Sequence, residues 1–161
     1  MAITLRKFKD EESEYKKMHE WCSKKHVNEW FEQRVLSFDE IRNKYKNKIG
    51  NQDMFIIQYN NRDIGFVQIY EYKPKIYEFD LFIGEEELLS KGLGTKIEVF
   101  IINKIYSDYD ADSIIARPFK RNIRSVKCSL KAGFNIIDEY DGTDTIGNPE
   151  TILVMENKRT N

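Results

Sequence analysis

The chain of 161 residues, 40% hydrophobic and 13% aromatic, has the size and apolar content of one domain with a real core, and a single domain over 1–161 is expected. Its 26 basic and 27 acidic side chains leave a formal charge of −1, which excludes a global field for nucleic acid or an anionic membrane surface, so any charged ligand must be met locally. The opening MAITLRKFKDEE has no apolar stretch of signal-peptide length, and runs such as VFII and ILVM are too short to span a bilayer, which points to the cytoplasm.

In chain order, AITLRKF alternates apolar and polar residues as a half-buried strand does, and KDEESEYKKMHEWC then sets Tyr15, Met18 and Cys22 at helical spacing. In SFDEIRNKYKNKIGN, Ser37 and Glu40 form a capping box, Ile41, Tyr45 and Ile49 recur every four residues, and Gly50-Asn51 gives the stop of a second helix. DMFIIQY and RDIGFVQIYEY, joined by an Asn-Asn pair that tolerates positive φ, read as a hairpin, and PKIYEFDLFIG supplies the next strand.

From Gly92 onward Leu93, Ile97, Ile101 and Ile105 mark a helix, and DSIIARP is a short apolar strand closed by a proline. NIRSVKCSLKAGF is a helix with Asn122 as N-cap and Gly133 just past its end. FNIIDEY and ETILVMEN finish as strands around the turn-rich DGTDTIGNP. The order β-α-α-β-β-β-α-β-α-β-β predicts an α/β (α+β) fold, a mixed twisted sheet of about seven strands flanked by about four helices.

Two cysteines, Cys22 and Cys128, make no disulfide framework and do not combine with His19 and His26 at zinc-finger spacing, so buried thiols and no metal are expected. The two histidines sit near the amphipathic first helix and read as ordinary surface or satisfied residues.

The stretch LLSKGLGTK, residues 88–96, leads from an acidic strand into a helix. Unpaired N–H groups at a helix start attract anions, and Gly92 and Gly94 let the backbone approach a phosphate closely. The loop lacks the lysine-bearing G-x-x-x-x-G-K-[ST] of a Walker loop and the third glycine of a dinucleotide fingerprint.

SKGLGT, followed some thirty residues on by NIRSVKCSLKAGF, resembles the pyrophosphate loop and later helix of the GNAT superfamily of acyl-CoA-dependent N-acetyltransferases. NEWF (28–31), IGFVQIY (64–70), FDLFIG (79–84) and SKGLGT (90–95) are similar to segments of aminoglycoside 6'-N-acetyltransferases, with likeness from about Leu5 to Met155. The resemblance implies a GNAT fold and acetyl-CoA as co-substrate, its pyrophosphate held by N–H groups of Lys91, Gly92, Leu93, Gly94 and Thr95. It implies that the strand edge at Phe82 and Ile83 pairs with the pantetheine amides and that Asn122 lies near the pantetheine arm. Two departures stand out: Leu89 replaces the usual Gln or Arg, and Ser129 replaces the Tyr thought to protonate the leaving thiolate.

On the acceptor side an amine must lose a proton before it can attack. Asp80 interrupts the apolar run FDLFI just before the loop and matches the aspartate of the related enzymes, so it is the expected catalytic base. Strand alternation sets Glu78, Asp80 and Phe82 on one face. A polycationic substrate calls for carboxylates, which Glu29 and the group Asp138, Glu139, Asp141 and Asp144 supply, and for an apolar wall, for which Trp30, Phe31 and Tyr70 stand ready.

The expected activity is therefore acetyl transfer to a primary amine, foremost the 6'-amine of an aminoglycoside, by a monomer or homodimer with no nucleic-acid or membrane partner. A polyamine, another small amine or a protein amine is the second acceptor class, and a non-catalytic acyl-CoA-binding module is the third reading.

Overall fold

The computed structural model describes residues 2–160. The chain forms two compact units, Met1–Ile69 with Leu81–Glu87 and Tyr70–Asp80 with Leu88–Asn161.

In the first unit β1 (Ile3–Lys7) pairs antiparallel with β2 (Asp53–Tyr59), from Ile3 opposite Tyr59 to Lys7 opposite Phe55. β2 returns antiparallel as β3 (Arg62–Lys73), and both turn residues, Asn60 and Asn61, take positive φ of 48° and 67°, as a tight hairpin turn requires.

Helix α1 (Glu12–Cys22) buries Tyr15, Met18 and Cys22 against Ile41 and Tyr45 of the third helix, α3 (Phe38–Lys46). The capping box is complete: Ser37 Oγ accepts from the Glu40 N–H at 3.1 Å, and Glu40 Oε1 accepts from the Ser37 N–H at 3.0 Å. α3 stops at Lys46, short of the predicted end, because the chain tightens into i→i−3 bonds at Lys48 and Ile49, which leaves Ile49 outside the core. Between them lies α2 (Lys25–Phe31), which periodicity did not reveal. Ser23 ends α1 by donating its hydroxyl to the His19 carbonyl at 2.6 Å, and the chain restarts as a helix of only seven residues, too short to show a period.

Strand β4 (Ile76–Ile83) begins in the second unit and ends in the first. In the second unit it runs parallel to β5 (Ser113–Ala116), the ladder covering Ile76, Tyr77 and Glu78. The crossover helix α4 (Leu93–Asp108) buries Leu93, Ile97, Ile101 and Ile105 on one stripe, as the sequence pattern predicts. Asn122 caps α5 (Ile123–Lys131) through an Oδ1 that accepts from the Ser125 N–H at 3.4 Å, and Gly133 follows at φ +107°.

The last strands, β6 (Asn135–Thr143) and β7 (Pro149–Lys158), pair antiparallel, and β7 also pairs with β5. Among the described residues the strand order is β1-β2-β3-β4-β5-β7-β6, seven strands with five α-helices. No described helix is long and apolar enough to cross a membrane.

Candidate active site

The loop before α4 turns sharply: Ser90 and Gly92 both lie in the left-handed region, at φ 62° and 75°. Gly92 is the residue immediately before the helix, and a Cβ there would meet no atom within 4 Å, so backbone conformation rather than crowding calls for glycine. No side chain caps α4. Its first N–H groups, at Leu93, Gly94 and Thr95, have no acceptor within the helix, and the helix dipole adds positive potential there. Backbone N–H groups in this arrangement can receive an anion without help from a side chain. Gly94 has a second role: a Cβ on it would come within 3.2 Å of Cys128 Sγ, so its small size lets α5 close on α4.

Also in the second unit, the Tyr70 hydroxyl donates to Asp80 Oδ2 at 3.1 Å and is bonded as well to Glu78. Glu78 is only 2% exposed and receives the fork of Arg117, Nε to Oε2 at 2.9 Å and Nη2 to Oε1 at 2.8 Å. Burial pushes the Glu78 carboxyl above its usual range while Arg117 works against that rise. Burial first, and then the facing Asp80, hold the Tyr70 hydroxyl far above the ordinary tyrosine range, so it stays a donor at any working pH. The Arg117 guanidinium stacks on the Tyr72 ring at 4.8 Å. Asp80, Tyr70, Glu78 and Arg117 thus form one linked chain that orients the Asp80 carboxylate.

Ser129 is 1% exposed and donates to Glu98 Oε1 at 2.9 Å across the α4–α5 packing, while Glu98 Oε2 is buried without a hydrogen-bond partner. Burial pushes the Glu98 carboxyl up to about 7. Asn122, expected near a pantetheine arm, commits its side-chain oxygen to capping α5.

The other predicted residues divide between the units. Glu29 and Trp30 lie part-buried on α2 of the first unit. There the Phe31 ring stands 5.5 Å and the Trp21 ring 6.0 Å from that of Phe82, which turns the Phe82 side chain into the core. In the second unit Asp138 accepts from the Glu139 N–H at 2.8 Å, and Asp144 accepts from the Ile146 and Asn148 N–H groups, so part of the acidic segment serves the β6–β7 turn. Asp141 is exposed on β6. A shallow cleft of about 660 Å³ in the first unit is lined by Arg6, Lys17, Arg62 and Asp63 among others, and none of the sequence-predicted site residues lines it.

The sequence profile of the family described as "Acetyltransferase (GNAT) domain" matches residues 10–142. The chain belongs to this acetyltransferase family. Two of its GNAT relatives are the aminoglycoside N(6')-acetyltransferase type 1 of Klebsiella pneumoniae, 24% identical over 98% of this chain and 84% of the relative, and a kanamycin resistance protein of Rhizobium radiobacter, 27% identical over 55% of this chain and 79% of the relative. Among solved GNAT structures, AAC(6')-Ib in complex with paromomycin and acetyl-CoA superposes with a TM-score of 0.86 at 23% identity, covering 99% of this chain and 94% of that one. The spermidine N-acetyltransferase from Vibrio cholerae, in complex with CoA and spermine, gives 0.81 at 19% identity, covering 96% and 94%. These likenesses carry the GNAT fold, and the seven-stranded mixed sheet agrees with it.

Sequence reasoning missed the Glu78–Arg117 fork, the Tyr70–Asp80 bond and the Glu98–Ser129 pair. A signal for the first was present: Glu78 and Asp80 both interrupt the apolar run IYEFDLFI, and Arg117 follows the buried SIIA.

Proposed function

We propose that the chain is an acetyl-CoA-dependent N-acetyltransferase of the cytoplasm, working as one domain on a primary amine, foremost the 6'-amine of an aminoglycoside. The observation that carries this reading is the oriented carboxylate of Asp80, on the strand that leads to an anion cradle at the start of α4. Similarity to an aminoglycoside N(6')-acetyltransferase along 98% of the chain supports the acceptor. A polyamine acceptor is the second reading, favoured by the likeness to a spermidine N-acetyltransferase.

Acetyl-CoA supplies an acyl carbon activated as a thioester. The N–H groups of Lys91 to Thr95 hold its pyrophosphate, and the edge of β4 at Phe82 and Ile83 binds the pantetheine amides, with the Ile83 N–H stabilising the oxyanion. Asp80 accepts a proton from the substrate ammonium, and the amine lone pair then attacks the acyl carbon. Tyr70 keeps the Asp80 carboxylate pointed. Ser129 takes no part in protonating the leaving thiolate, because its hydroxyl is buried and engaged with Glu98; water serves instead. Glu29, Asp138 and Asp141 hold further ammonium groups of the acceptor, Trp30 flanks its rings, and Asn122 supports the pantetheine arm through the helix it caps.

The test is thiol release from acetyl-CoA against a panel of aminoglycosides, polyamines and peptides, including a pair that differs only as 6'-amine or 6'-hydroxyl. The 6'-amine should react and the 6'-hydroxyl should not. Asp80→Asn should keep CoA affinity and cut kcat by about 10²–10⁴, the range for loss of a general base. Equal acetylation of both compounds, or activity on polyamines alone, overturns the acceptor; kcat and KM both within about twofold in Asp80→Asn overturn the base.

A further inference from the structure

In the first unit the end of β4 and the residues after it are gripped from α1 and α2. The Trp21 indole fills the space beside Gly84, where a Cβ would lie 2.3 Å from the ring. Lys24 Nζ donates to the Gly84 carbonyl at 3.1 Å and reaches Glu85 at 3.5 Å. His26 adds the third hold, with Nε2 at 3.0 Å from the Ile83 carbonyl oxygen.

A carbonyl only accepts, so Nε2 carries a proton, and in a neutral ring the lone pair then lies on Nδ1. That nitrogen is buried without a hydrogen-bond partner, 3.9 Å from Glu86, on a side chain only 10% exposed. The ring is therefore held in place by one bond, the bond to Ile83.

The edge it caps matters. The Gly84 N–H donates to the Ile64 carbonyl of β3 at 2.7 Å, and successive residues of a strand turn their backbone groups to opposite edges, so Ile83 presents its N–H and carbonyl to the other edge of β4. That is the edge whose ladder with β5 covers only Ile76 to Glu78. His26 occupies the carbonyl of Ile83 on that edge and fixes the plane in which the residue sits.

We propose that His26 is a positioning residue for acyl transfer: by holding the Ile83 carbonyl, its Nε2–H sets the end of β4 in the orientation from which the Ile83 N–H meets the thioester oxygen. This rests on the acetyltransferase reading above. Histidine is placed to do it because Nε2 reaches where a shorter donor does not.

Two polar variants separate the nitrogens: His26→Gln carries an N–H near the Nε2 position, whereas His26→Asn is too short and offers its N–H nearer Nδ1. Amide hydrogen exchange at Ile83 and Gly84 in the ligand-free chain, melting temperature, and kcat and KM with acetyl-CoA and kanamycin are measured for each. His26→Asn should exchange faster at Ile83–Gly84 and lose about tenfold or more in kcat with KM for acetyl-CoA within about threefold, while His26→Gln stays near wild type in both. Equal kcat losses in the two variants, kcat within about twofold of wild type in His26→Asn, or unchanged exchange there would each overturn the proposal. A wild-type chain that acetylates no amine shows a failure of the functional reading itself, visible before any variant is made, and overturns both.

Discussion

Replacing Glu98 with glutamine should remove a large part of the pH dependence of stability above pH 5. Glu98 is 6% exposed, its one hydrogen bond comes from Ser129, and burial pushes its carboxyl from the ordinary glutamate value of about 4.5 up to about 7. The folded chain thus holds this proton more tightly than the unfolded chain. Below pH 4.5 the group is protonated in both states and costs nothing. Between about pH 4.5 and 7 the unfolded chain ionises while the folded chain does not, so stability falls as pH rises, and above pH 7 the whole penalty is present. At about 1.4 kcal/mol per pH unit the difference between 4.5 and 7 amounts to about 3 kcal/mol, most of it expressed between pH 5 and 8. A glutamine is neutral throughout and keeps an oxygen to accept from Ser129. Urea unfolding of both proteins at pH 5, 6, 7 and 8 should show wild type losing about 2–3 kcal/mol relative to Glu98→Gln across that range. Parallel curves, within about 0.5 kcal/mol at every pH, would mean that the Glu98 carboxylate is solvated or paired and would refute the reasoning.

Two further changes test the site. Gly92→Val has room for its side chain but not for its φ of 75°, so it should strain the turn and weaken CoA binding about tenfold by calorimetry while the fold persists; unchanged affinity would remove the loop from the cradle. Tyr70→Phe keeps the ring and deletes the donor to Asp80, so kcat/KM should fall about tenfold with the acid limb of its pH profile displaced and CoA affinity intact, whereas an unmoved profile would make the Tyr70–Asp80 bond incidental.

How far the residues announced all this depends on the range of the interaction. The hairpin at Asn60-Asn61, the Ser37–Glu40 box, the Leu93–Ile105 stripe and the Asn122 cap were legible because each is settled within a few neighbours along the chain. Helix α2 was not, since its seven residues, with Val27 alone fully buried, are too few to declare a period. The same holds for the site. The glycine loop could be read as an anion cradle, but Tyr70 reads as an aromatic wall until the structure sets its hydroxyl against Asp80. Ser129 reads as a missing acid until Glu98, thirty-one residues earlier, is seen to accept its hydrogen bond. His26 reads as an ordinary histidine because its partner is a backbone carbonyl fifty-seven residues away, and sequence carries no mark of that.

Counting carboxylates was also a poor guide to where a cation would be met. Glu78 and Asp80 stand two residues apart and share the Tyr70 hydroxyl, and the Asp80 charge adds to burial in raising the Glu78 carboxyl. Arg117 relieves that conflict at Glu78 with two short bonds, in a position where removing one partner would leave a charge buried. The pair sums to zero, and the charge that the cluster of Glu78, Asp80 and Arg117 presents as a whole is that of Asp80. A substrate ammonium approaching this strand therefore meets one directed carboxylate rather than a diffuse acidic patch, which suits proton removal from a single amine better than the general attraction of a polycation. On the function proposed above, binding energy for the remaining ammonium groups comes from other carboxylates of the chain, and salt should weaken that attraction more than it slows proton transfer to Asp80.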